Sequence, residues 1–314
     1  MSGRILVLGA AGRLGRAAAE AFRDAGWTVK SLVRARSVAR VAPDTQIVEA
    51  DALDRETVIE AAQGCDVVLH ALNTPYTGWA RFALPLAGSA IAAAGQANAT
   101  LLFPGNLYNY GLPLPQEIDE TTPMHPTSRK GHMRLAIEAR LRQEAERGLK
   151  TIVLRAGDFY GGAGTGSWFD RIIVRDLGQG RVTYPGPLEF VHAWAYLPDF
   201  AATCVRLAEA RAALAGFETF GFAGDAVTGR EFVRAIARAT GREVTVSRMP
   251  WWLLHTLGPV VPIFGELSDI AYLWQMSHRI SGERLEATLG EVPRTPFETA
   301  VAAALRALGH RTII

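Results

Sequence analysis

Residues 4–8 form a short aliphatic run, and beyond a glycine loop residues 13–25 are alanine-rich and end at Gly26. The first pattern predicts a strand and the second a helix stopped by glycine. The alternation continues with strands at 28–33 and 46–50, a helix over 54–63 closed by Gly64, and a fourth strand at 66–70 with a solidly apolar middle. Residues 84–97 predict a helix, 99–103 a fifth strand, 129–147 a long amphipathic helix stopped by Gly148, and 151–154 a sixth strand. Such alternation predicts an α/β fold, a Rossmann-type doubly wound parallel sheet joined by right-handed crossovers.

After Arg155 the pattern loosens into GDFYGGAGTG, a predicted helix over 168–177 and the turn-rich YPGPLEF. Residues 198–210 predict a helix opened by proline, and 217–222 a short strand that rejoins the sheet. From Thr228 onward come a helix, a strand at 243–247 and several helices carrying Trp251, Trp252, Tyr272 and Trp274. The expected division is a Rossmann domain over 1–160, with 192–222 returning to it, and a smaller mixed α/β subdomain over 161–191 and 223–314. A shared cleft is expected between them.

The chain has 314 residues, 49% hydrophobic and 20% charged, which suits an ordinary globular protein. Its 33 basic and 31 acidic residues give a net charge of +2, which offers no broad field for nucleic acid or an anionic membrane. Cys65 and Cys204 lie in apolar segments and read as reduced core residues, so a reducing cytoplasm is the expected location. The N-terminus shows no export signal, and residues 251–264 are too broken by His255, Gly258, Pro259 and Pro262 to span a membrane. The expected partner is a small molecule, and the expected state a monomer or homodimer.

The segment GAAGRLG follows the first strand and opens a helix, the context in which glycine spacing points to a dinucleotide. Gly9 permits the tight turn, Gly12 lets backbone approach a pyrophosphate, and Gly15 allows helix and sheet to pack closely. Arg13 and Leu14 fall in the same turn. Where an NAD site has an acidic residue on the adenosine ribose, this chain has Arg34, with Arg36 close behind. A guanidinium can pair with a 2′-phosphate but cannot accept from a hydroxyl, which favours NADP, with NAD still admitted. Asp51 and Ala52 after the third strand and Ala71 after the fourth complete the expected cofactor edge. Asp51 reads equally as an adenine contact or, like Asp54, as a helix N-cap.

GAAGRLG, DVVLHALN from Asp66, FPGNLYNYG from Phe103, LRAGDFYG from Leu154 and HAWAYLPDFA from His192 together resemble the short-chain dehydrogenase/reductase superfamily, in its extended or atypical NAD-dependent epimerase/dehydratase branch. The resemblance spans nearly the whole chain and implies a catalytic Ser or Thr with a YxxxK helix. Matching Pro126, Gly131 and Glu138 places Lys130 at the Tyr position and Arg134 at the Lys position, so the motif reads KxxxR. The usual serine pair falls on Gly105 and Asn106. All three expected side chains are thus replaced.

Lys130 is one of three lysines among 33 basic residues, with Lys30 and Lys150. One reading makes Lys130 a proton donor of lowered pKa, Asn106 the polariser of the substrate oxygen and Arg134 a partner of the nicotinamide ribose. The other makes Lys130 and Arg134 cofactor contacts or solvated charges. Two functions follow: an NADP-dependent atypical oxidoreductase or epimerase acting on a carbonyl or sugar-like molecule, or an inactive NADP(H)-binding regulator or redox sensor. Tyr108 and Tyr110 read as packing under the loop after the fifth strand, and stand next in line as proton donors should Lys130 fail. His70 reads as a core histidine, Arg155 and Asp199 as structural, and Trp168, Trp194, Tyr196, Trp251 and Trp274 as core or cleft lining. His125 and His132 lack metal-ligand spacing, so no metal is expected.

Overall fold

The structure is a computed structural model that describes residues 3–313. Its strands are β1 (Arg4–Leu8), β2 (Thr28–Val33), β3 (Gln46–Glu49), β4 (Val67–His70), β5 (Thr100–Gly105), β6 (Glu117–Ile118), β7 (Thr151–Arg155), β8 (Asp158–Tyr160), β9 (Arg181–Tyr184), β10 (Val191–Tyr196), β11 (Phe217–Gly221), β12 (Asp225–Thr228), β13 (Thr245–Arg248) and β14 (Arg279–Ile280). Its α-helices are α1 (Arg13–Asp24), α2 (Arg55–Ala62), α3 (Trp79–Gln96), α4 (Arg129–Ala145), α5 (Leu197–Ala210), α6 (Gly229–Thr240), α7 (Trp251–Leu257), α8 (Pro262–Ser268), α9 (Glu283–Leu289) and α10 (Phe297–Ala307).

Seven strands form the main sheet in the order β11-β7-β5-β4-β1-β2-β3, every pair parallel. The order reverses between β1 and β4, which opens a crevice at the carboxyl ends of those strands. In β1, Ile5 and Val7 face one layer with Phe22 and Phe200, while Leu6 and Leu8 face the other with Val58, Ile91 and Ile137. Burial on both faces is why these strands read as continuous apolar runs.

The remaining strands form a three-stranded sheet β12-β10-β8 and the two-stranded pairs β13-β9 and β14-β6. Their core is aromatic, with Tyr160, Trp168, Trp194, Phe232 and Trp274 packed together. β10 belongs to this sheet, so of residues 192–222 only those from α5 onward return to the main layer, where β11 pairs with β7. The helix expected over 168–177 is instead a five-residue turn at Phe169–Ile173 and a short turn at Leu177–Gln179, ended by Gly180 at φ +73°. α3 starts at Trp79, five residues before the expected 84, and carries Pro85 inside it.

Candidate functional site

The glycine loop lies at the carboxyl end of β1, in the crevice. Gly9 adopts φ +81°, and a Cβ there would lie 2.9 Å from the Ala71 carbonyl oxygen. At Gly15 a Cβ would lie 2.2 Å from the Gly9 oxygen, so α1 rests directly on the loop. Gly12 donates its N–H to Gly9 at 2.9 Å and is the N-cap of α1, with no side chain over the helix end. A first helical turn has N–H groups without intrahelical partners, here including those of Arg13 and Leu14, and these favour an anion. The Arg13 guanidinium donates to the Gly161 carbonyl at 2.5 Å and lies 3.7 Å from Asp170, which in turn holds the Gly166 and Ser167 N–H groups. Burial lowers the Arg13 pKa and Asp170 opposes that. The glycine-rich loop is thereby tied down beside the start of α1.

The β2-β3 register pairs Val33 with Glu49, which brings Arg34 and Asp51 to the same sheet edge. Arg34 and Arg36 are exposed. Asp54 is the N-cap of α2, while exposed Asp51 accepts from the Leu53 N–H at 3.0 Å within its own turn. Ala52 and Ala71 are buried, and Ala71 donates to Leu8 at 3.0 Å. These residues suit an adenine dinucleotide: a tight glycine turn that packs the helix start closely on the strand end, a helix N-terminus with no side chain over it, and an exposed guanidinium on the same sheet edge.

The start of α4 forms the other half of the site. Ser128 caps α4 by accepting from the Gly131 N–H at 3.0 Å, and a Cβ at Gly131 would lie 2.2 Å from the Tyr108 carbonyl oxygen. This close approach joins Lys130 to the loop after β5. Lys130 has no exposed surface; its ammonium forms an ion pair with Glu266 of α8, donates to the Glu266 carbonyl at 3.2 Å and lies 4.9 Å from the Tyr76 ring centre. The reading of Lys130 as a solvated charge is corrected, since its counter-ion comes from a helix 136 positions away and covers it. Arg134 donates to the Pro104 carbonyl at 3.1 Å and lies over Trp79 at 5.0 Å, with its Nε buried and unpartnered. Burial lowers its pKa, against the pull of Glu138.

Asn106 Oδ1 accepts from the Tyr108 N–H at 3.1 Å, which leaves its amide N–H groups as donors. The Tyr76 and Tyr108 hydroxyls lie 3.2 Å apart. Burial, then Asp158, pushes Tyr76 up to about 12, and burial holds Tyr108 well above its ordinary value, so both are protonated phenols at neutral pH. Asp158 binds His192 at 2.9 Å, and the His192 ring stacks on Trp274 at 4.0 Å. Neither Tyr76, Asp158 nor Glu266 stands out in the sequence, because each meets the site only through chain pairing remote from it.

Other residues have plainer places. His70 is buried against Phe103, and burial followed by Arg134 pulls its pKa down to about 3. Arg155 forms a two-pronged pair with Glu138 at 3.1 and 2.7 Å, and Asp199 holds the Thr295 N–H and hydroxyl at 2.6 and 2.8 Å. Tyr110 packs under Arg155. Trp168, Trp194 and Trp274 are core, Tyr196 and Trp251 half-buried. Cys65 and Cys204 are free and buried. A cavity of about 100 Å³ lies between Tyr196, Asp199, Asp225, Glu286 and Arg294, apart from the glycine loop. Among the described residues no cluster of His, Cys, Asp and Glu could hold a metal, and no helix is long and apolar enough to cross a membrane.

Residues 5–220 match the NAD dependent epimerase/dehydratase family, and the chain belongs to it. A 3-diazoavenalumate denitrifying reductase from a Streptomyces sp is 30% identical over 225 residues, covering 67% of this chain and 73% of that protein. The structure of UDP-glucose 4-epimerase from Brucella ovis in complex with NAD superposes with TM-score 0.80 at 18% identity, covering 99% of this chain and 100% of that one. UDP-N-acetylglucosamine 4-epimerase from Bacillus cereus gives 0.76 at 19% identity over 99% and 100%. At those identities the two structures show the fold. A nicotinamide cofactor, when bound, supplies or accepts a hydride.

Proposed function

We propose that the protein is an NADP(H)-dependent reductase of a small unsaturated or carbonyl-bearing molecule. The observation that carries this reading is the Gly9–Gly12–Gly15 cradle with Arg34 on the same sheet edge and a polar corner at Asn106 and Tyr108. The similarity to a reductase favours net reduction over epimerisation. Gly9, Gly12, Arg13, Leu14, Gly15, Asp51, Ala52 and Ala71 surround the dinucleotide, Arg34 takes the 2′-phosphate, and Arg134 faces the nicotinamide ribose. The Asn106 amide polarises the substrate. Proton delivery falls to Tyr108, backed by Tyr76, because the Lys130 ammonium is engaged by Glu266.

Calorimetric titration with NADP+ and NAD+ tests the cofactor. A charged hydrogen bond to the 2′-phosphate contributes about 1.5–3 kcal/mol, so NADP+ is expected to bind about tenfold or more tightly. Arg34→Ala is expected to remove that preference; equal affinities in the unaltered protein overturn it. Loss of NADPH absorbance against a panel of aldehydes, ketones and unsaturated acids tests turnover, with Tyr108→Phe and Lys130→Met compared. Abolition by Tyr108→Phe supports the assigned donor, and undiminished turnover removes it.

A further inference from the structure

The counter-ion of Lys130 is supplied by an element that is itself weakly held. α8 buries none of its seven residues fully, whereas α4 sets Ile137, Glu138 and Leu141 in the core. α7 and α8 cross backbone to backbone at Gly258 and Gly265, where a Cβ on Gly265 would lie 3.1 Å from the Gly258 oxygen. Their outer side carries Trp252 and Val260, 71% and 74% exposed. At the end of α8, Ser268 Oγ and Asp269 Oδ2 are buried with no hydrogen-bond partner among the described residues.

Opening separates the Lys130 ammonium from the Glu266 carboxylate and carbonyl that cover it. An incoming anion that takes the place of the carboxylate restores the charged contact, so a negative ligand favours the opened hairpin over water alone. We propose that Glu266 occupies the anion subsite of the substrate pocket and that the substrate is a small carboxylate, which displaces Glu266 from Lys130 as the hairpin opens. Arg129, which holds the other Glu266 oxygen at 3.0 Å, joins the exchange. The Tyr76 ring beside Lys130 Nζ gives the body of the acid a flat apolar wall, which suits an unsaturated chain or ring. Glu266 thus acts as an internal competitor that admits acids and rejects neutral analogues of the same shape.

The inference rests on the proposed function in placing the substrate at the Asn106–Tyr108 corner. Its test is a tryptophan-fluorescence and calorimetric titration of the full chain, with and without NADP+, using two matched pairs: cinnamate with cinnamamide, and hexanoate with hexanamide. At least one acid is expected to bind about tenfold more tightly than its amide and to change the emission of Trp251 and Trp252 on α7. Glu266→Gln is expected to tighten acid binding about tenfold by removing the competitor, and Lys130→Met to abolish the preference. No acid outbinding its amide in the unaltered protein overturns the proposal, whether or not either variant folds. So does Glu266→Gln weakening acid binding in a folded protein. NADP+ binding in the same titrations keeps the two readings apart: its presence without acid preference sinks only this inference, and its absence sinks the proposed function.

Discussion

Gly15 has the least room of the three loop glycines. A methyl group there would meet the Gly9 oxygen at 2.2 Å and the Ala10 Cα at 2.8 Å, both backbone, so the helix itself must shift. Gly15→Ala is expected to lower stability by about 1–3 kcal/mol in urea unfolding. At Gly12 the nearest contact is 3.2 Å, so Gly12→Ala is expected to cost less stability than Gly15→Ala, mainly through the poorer N-cap, while weakening NADP+ binding. His70 makes a separate claim on pH. Its native pKa of about 3 lies below the ordinary 6.5, so between those values the unfolded chain binds a proton that the folded chain does not. Above about pH 6.5 neither state is protonated and stability is full; below it stability falls by about 1.4 kcal/mol per pH unit from this group. The gap between urea midpoints at pH 7.5 and 5.5 is expected to narrow in His70→Gln, and an unchanged gap removes the assignment. At this scale the tight turn of the glycines and the exposed place of Arg34 after β2 were legible because they follow from local backbone and position after a strand. Glu266 was not, since nothing near it in sequence marks it as a partner of Lys130.

The element that organises the site is the start of α4. Ser128 fixes its first turn, Gly131 lets it touch the Tyr108 loop, and Lys130 and Arg134 follow on the helix. Removing an N-cap hydroxyl costs about 1 kcal/mol, and here the loss falls on the turn that aims Lys130. Ser128→Ala is expected to show that loss in urea unfolding and to raise hydrogen exchange at residues 129–132 more than in the main sheet. Equal exchange throughout would mean that Glu266 and Asp269, not Ser128, hold this turn. Elements with a strong period were legible: β1, β2 and the start of α4 stand where the pattern puts them. The strands β8, β10 and β12 were not, since each is short or rich in aromatic residues and acquires its identity only by pairing across the chain.

At the scale of the whole molecule the chain crosses between its two cores more than once. It leaves the main sheet after β7, builds β8 to β10, and returns through α5 and β11 before completing the aromatic unit with β12 and α6. Asp199 on α5 then holds Thr295 just before α10, so the last helix is tied to the layer that packs on β1. Chains beyond about 150 residues often unfold through populated intermediates. Here separate melting would require breaking these crossings while one core stayed whole, which favours a single transition. Two intrinsic reporters divide between the cores once Trp27, which lies in the same layer as Cys204, is replaced by Phe: Trp79, Trp168, Trp194 and Trp274 then report the aromatic core, while Cys65 and Cys204 report the two layers of the main sheet. Burial pushes the Cys204 thiol up to about 12, so it stays unreactive until its layer opens. Tryptophan emission and thiol labelling, followed through one urea titration, are expected to give coincident midpoints. Thiol exposure at lower urea than the emission change would show that the layers of the main sheet open alone and that the crossings do not couple the two cores.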